Sequence, residues 1–114
     1  MITAQRCIAQ VRNYLNDPMP TPRWSNDTLL MFLNQSLGDI FVMRPDLMVD
    51  ETGETVTDAK FETVNEGTVF LHEKYEAAIA LGCAARALEL DNNDTNNIAI
   101  AASWRAMARA ETAK

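Results

Sequence analysis

A general acid or base, a nucleophile or a metal site needs His, Cys, Asp or Glu at defined spacing, and this chain offers few sets that qualify. His72 is the only histidine. It opens a helical stretch beside Glu73 and Glu76, carboxylates that suit the positive end of a helix, so a helix-start residue explains it better than a catalytic base. Cys7 and Cys83 stand far apart, with no CxxC and no histidine cluster, and read as two reduced, buried small hydrophobes. In "DNNDTNN" the residues Asp91, Asn93 and Thr95 alternate as calcium ligands do, but the sixth position is Asn96 rather than glycine and the twelfth is Ala102 rather than glutamate. A polar interhelical turn fits better. No catalytic residue, metal or cofactor is expected.

The elements around these residues read as helices. In "RWSNDTLLMFLNQSLGDIFVMRPD" the residues Leu29, Leu30, Leu33, Leu37, Ile40 and Phe41 recur at the spacing of one helical stripe. Ser25 is placed as N-cap, Trp24 and Leu29 as a hydrophobic staple, and Pro45 as the stop, giving about five turns. A first helix is expected from about Thr3 to Leu15, with Ile8, Val11 and Leu15 on one side. Pro18, Pro20 and Pro22 then make a stiff strap. An alanine-rich helix follows from about Leu71 to Leu90, and a last one, capped by Asp94 or Thr95, runs to about Ala110 with Ile98, Ala101, Trp104 and Ala108 along one side. Between the second and third helices, at about residues 47–69, β-branched Val56, Thr57, Thr63 and Val64 around Gly53 and Gly67 read as a short β-hairpin or loop excursion. The expected fold is mainly α, a four-helix bundle-like single domain spanning residues 1–114.

Composition narrows the function classes. With 114 residues, 47% apolar and 23% charged, the chain suits one globular domain, and no apolar run reaches a membrane span. The net charge of −6 argues against a generic nucleic-acid binder. Asp46, Asp50, Glu51, Glu54, Asp58, Glu62 and Glu66 face only Lys60 within residues 46–66, so this segment's excess equals the charge of the whole chain. Such a run is either a solvated face or a surface that repels an anion. Trp24 and Trp104 read as core, whereas Met19 in the strap is a candidate for an exposed contact.

A tryptophan opening a helix, "LLxxLN", then "RPD", and later an alanine-rich helix with an "ALELDNND" turn and a last helix, resembles the adaptor or head-completion proteins of tailed bacteriophages, the head-to-tail connectors. The residues carrying the resemblance are Trp24, Leu29, Leu30, Leu33, Asn34, Arg44, Pro45 and Asp46, then Ala84, Ala87, Leu88, Asp91, Asp94 and Asn97. Related adaptors often carry a larger β-rich insertion after "RPD"; here only about twenty residues intervene, so that insertion's contacts do not transfer.

The resemblance implies a structural virion protein, made in the host bacterial cytoplasm and placed at the head–tail junction. It implies a homo-oligomeric ring, twelvefold in number, bound to the portal protein and to a tail or neck protein, with double-stranded DNA passing through without specific binding. Arg105, Arg109, Lys114 and Met19 are the candidate portal or subunit contacts. Asp50, Glu51, Glu54, Asp58 and Glu62 are candidates for a channel-facing acidic segment, since an acidic lumen would keep DNA from adhering. The tail cations also suit helix C-terminal carbonyls. The alternative class is a small cytoplasmic helical regulator or protein-interaction domain, but none of the helices is clearly basic, as a recognition helix would be.

Overall fold

The computed structural model describes residues 2–16, 24–49, 52–55, 59–90 and 95–114. The prolines of the strap, Met19, Asp50, Glu51, Val56, Thr57, Asp58 and the turn residues 91–94 lie outside them. The chain runs β1 (Ile2–Thr3), α1 (Ala4–Leu15), α2 (Asn26–Met43), β2 (Thr68–Val69), α3 (Glu76–Leu90) and α4 (Thr95–Thr112), with 3₁₀ turns at Pro45–Leu47 and Glu73–Tyr75. The fold is mainly helical, as the periodicity requires.

Each helix begins or ends on a local cause. Thr3 caps α1, its hydroxyl accepting from the Arg6 N–H at 3.3 Å. Asn16 closes α1 in the left-handed region at φ 52°, which Asn tolerates, and its N–H reaches the Arg12 and Asn13 carbonyls. Ser25 caps α2 through the Thr28 N–H at 3.1 Å, and Trp24 and Leu29 are both buried, as a staple demands. The third helix starts later than its sequence suggests. His72 occupies the cap of the 3₁₀ turn, where its Nδ1 accepts from the Lys74 N–H at 3.1 Å, and only then does α3 follow.

The core lies where α1, α2 and α3 meet. Cys7, Ile8 and Val11 of α1 pack with Leu29, Leu33, Leu37 and Ile40 of α2 and with Ile79, Cys83, Ala84 and Ala87 of α3. The α2–α3 crossing depends on Gly82: a Cβ there would stand 2.3 Å from Ser36 Oγ. The Ser36 hydroxyl uses the space to donate to the Ile79 carbonyl at 2.9 Å, so a buried polar group is satisfied at the point of closest approach. Both cysteines are free and buried. Burial and the nearby Glu76 carboxylate push the Cys7 thiol up to about 12.

The excursion reads as a loop with strand-like contacts, one of the two forms expected. Among the described residues β2 pairs antiparallel with β1, Ile2 opposite Val69 and Thr3 opposite Thr68. Within the described part of the excursion an isolated bridge, Val49 to Thr55, is the remaining strand-like contact. Thr68 and Val69, beside Gly67, thus serve the N-terminal edge. What holds the excursion to the helices is Phe61, 1% exposed, whose backbone Asn34 clamps on both sides: Asn34 Nδ2 donates to its carbonyl at 3.1 Å and its N–H donates to Asn34 Oδ1 at 2.7 Å. One expectation needs correction: spacing places Ile98 with Ala101, Trp104 and Ala108 along one side of α4, but it is 62% exposed. The inner stripe instead follows Asn97, Ala101, Trp104, Ala108 and Thr112.

Candidate functional site

The "RPD" corner is built from one arginine doing three things. Arg44 caps α2, and Pro45 opens the following 3₁₀ turn. The Arg44 guanidinium grips Asp46 in a two-pronged pair, Nε to Oδ1 at 3.0 Å and Nη2 to Oδ2 at 2.8 Å. Those bonds raise the affinity of Arg44 for its proton and hold the Asp46 carboxyl below its ordinary range. Its third donor, Nη1, reaches the Thr112 carbonyl at 3.0 Å. The Thr112 carbonyl at the end of α4 is thus met by Arg44, while Arg109 lies in the last turn of α4 as the tail sequence suggests. Lys114 pairs with Glu111 at 2.9 Å.

A groove of about 530 Å³ opens where α2, α3 and α4 diverge. Its apolar lining comes from Ile40, Met43, Ala78 and Ala108, and three arginines, Arg86, Arg105 and Arg109, stand around it against one lining carboxylate, Asp39. Arg86 pairs with Asp39, yet its Nε is buried with no partner among the described residues. Arg105 pairs with Glu89 just outside the groove at 2.5 and 2.8 Å, which lowers the Glu89 carboxyl and raises Arg105. Arg109 makes no side-chain hydrogen bond or ion pair among the described residues. The groove is therefore apolar at its floor and positive at its rim.

A second hollow lies on the other flank of α2. Asp27 and Leu30 of α2 line it with Glu62, Thr63, Val64, Asn65 and Glu66, and no lysine or arginine is among them. Advancing about 100° per residue along α2, the groove residues Ser36, Asp39 and Met43 and the hollow residues Asp27 and Leu30 fall on roughly opposite sides of the buried stripe. Opposite charge thus occupies opposite flanks of one helix.

The third surface is the outer side of α4. Ile100 and Met107 are exposed there by 42 and 50%, whereas Ile98, 62% exposed, falls on the opposite edge of the helix, toward Arg109, at about 100° per residue. Ala99, Ala102, Ser103, Ala106 and Ala110 of the outer side are also exposed. What anchors α4 is its inner stripe on α3, together with Trp104, whose ring lies 5.8 Å from that of Tyr14 in α1 at a tilt of 48°.

The structure brings together Arg105 and Arg109 but sends Lys114 to its own neighbour. Glu54 and Glu62 are exposed, in keeping with a surface segment, while Asp50, Glu51, Asp58 and Met19 fall outside the described residues. Leu29 and Leu33 are wholly buried, so with Trp24 they are packing residues. Sequence reasoning missed Arg86 and Asp39. Their signal was present: each is a lone charge inside an otherwise apolar stretch, where an ion must meet a partner or an opening. Glu76 was also read too simply, for it is buried and accepts from Gln10 at 2.7 Å and Arg6 at 3.2 Å, tying α3 to α1. No described helix is long and apolar enough to cross a membrane, and among the described residues no His, Cys, Asp or Glu group could hold a metal ion. Comparison with protein-family models, curated proteins and solved structures found no match to this chain.

Proposed function

We propose that this chain is a structural virion protein of a tailed bacteriophage, an adaptor whose copies form a ring between the capsid portal and the tail or neck. The ring extends the DNA channel, and by the family resemblance it is twelvefold. The order of Trp24, Asn34, the "RPD" corner and the alanine-rich helices supports the reading. The observation that carries it is the outer side of α4, where Ile100 and Met107 project, about two helical turns apart, beside the exposed Ala99, Ser103, Ala106 and Ala110. Water-facing apolar groups grouped in this way mark an interaction surface, and small neighbours let a partner backbone come close. On this reading α4 docks on the portal through Ile100 and Met107. The acids of the excursion then lie toward the channel or toward neighbouring subunits.

Light scattering after size exclusion tests the reading, with the portal protein of the same phage alone and mixed with this protein. The expected result is a heavier portal particle, and Met107→Glu with Ile100→Glu abolishes the gain while leaving the helical spectrum intact. A portal particle of unchanged mass, at concentrations well above those of assembly, overturns it.

A further inference from the structure

The arginine groove and the acidic hollow are surfaces of opposite charge, set on opposite flanks of α2 within one chain. Two such surfaces cannot meet within one molecule. They can meet between molecules, and a contact that joins one patch to a different patch repeats head to tail, closing into a ring when the rotation allows. We infer that the subunit contact of this protein is heterologous: the turn Glu62–Glu66 of one copy seats in the groove between α2, α3 and α4 of the next.

The groove supplies what such a turn needs. Arg109 is exposed and has no side-chain partner among the described residues, so its guanidinium is open to an incoming carboxylate. The turn supplies the complement. Glu62, Thr63, Asn65 and Glu66 are exposed, while Phe61 and Gly67 on either side are buried and hold it in place. A Cβ on Gly67 would stand 2.3 Å from the Thr63 carbonyl, so the turn is tight and pre-shaped, and little of its freedom remains to be lost on docking. Val64, half-buried at the hollow, brings an apolar group to a groove floored by Ile40 and Met43. Long-range attraction between the two flanks also orients copies before they touch.

This contact rests on the ring-subunit reading, and its test separates the two. Met43→Cys places a thiol in the groove and Asn65→Cys places one on the turn; both positions are exposed. The native thiols are buried, so a short bis-maleimide reports the new ones. The expected result is a cross-linked dimer when the two single-cysteine proteins are mixed, little dimer from either alone, and a ladder from the double variant. Arg109→Glu on the groove protein should cut the mixed yield at least tenfold, and Glu62→Lys with Glu66→Lys on the turn protein should restore it. Absence of the mixed dimer, equal dimer from Met43→Cys alone, or a yield indifferent to Arg109→Glu overturns the contact. Portal binding without the mixed dimer leaves the adaptor reading standing and removes this contact. A mixed dimer without portal binding does the reverse.

Discussion

Helices α3 and α4 are neighbours in the chain and carry six alanines each, yet they meet opposite fates. In α3 ten of fifteen residues are buried, and even Glu76 is taken into the interior. In α4, among the described side chains, Ala101 and Thr112 are buried and the large apolar residues Ile98, Ile100 and Met107 face water. Alanine content therefore says that a helix forms easily, not which side it hides. What separates the two is their surroundings. Helix α3 is contacted by α1, α2 and α4, whereas α4 leans mainly on α3, with lesser contacts to α2, to the Glu73–Tyr75 turn and, through Trp104, to Tyr14. A helix with one packed side either wastes its apolar residues or saves them for a partner.

The largest effect that would sharpen this contrast is expected in the three-helix core. Trp24→Ala removes the staple over α2 and should lower stability by about 3–5 kcal/mol, read by denaturant melts. A loss below about 1 kcal/mol would mean that the indole does not hold the core. Next comes the α2–α3 contact, where Gly82→Ala drives a methyl group against Ser36 and should cost about 1–3 kcal/mol. Ser36→Ala in the same chain should recover part of that loss, because the hydroxyl is the atom struck.

Smaller changes are expected on the α4 side. Arg105→Ala breaks the pair with Glu89, both groups being reached by solvent, so the cost at neutral pH should stay under about 1 kcal/mol. Arg105 holds the Glu89 carboxyl below its ordinary range, so the pair adds stability above the unfolded value and loses it as pH falls through the native one. The difference between wild type and Arg105→Ala should therefore shrink below about pH 4. A difference that grows in acid would reverse the assignment. Smallest of all is Ala102→Leu on the outer side of α4, expected within about 0.5 kcal/mol in melts of the isolated protein. The same substitution at the buried Ala80 of α3 should be severely destabilising, and equal outcomes at the two sites would dissolve the contrast between the helices.

Much of the fold could be read from local chemistry. Ser25, Trp24 and Leu29 announce the start of α2 because a cap and a staple act within one turn, and Pro45 announces its end for the same reason. Asn34 and Arg44 could be picked out from the "LLxxLN" and "RPD" patterns, but their partners could not: Phe61 lies 27 residues from Asn34, and Thr112 lies 68 from Arg44. Only the tertiary fold supplies such contacts. The outward turn of Ile98 was hidden because α4 carries small residues almost all round, so several stripes fit the same spacing. The arginine groove was illegible for a related reason. Arg86, Arg105 and Arg109 come from two helices, and Asp39 from a third, so no window of sequence contains the site.

The central claim is that the exposed side of α4 is an interface awaiting its partner. Oxidative footprinting by mass spectrometry tests it at one atom, the sulfur of Met107. Met31 on α2 is exposed to the same 50% and serves as the rate reference. In the free protein the two methionines should oxidise at comparable rates. With the portal protein in excess, Met107 should fall at least tenfold behind Met31. Equal oxidation of Met107 with and without the portal, in a mixture where the two proteins comigrate, would contradict the claim.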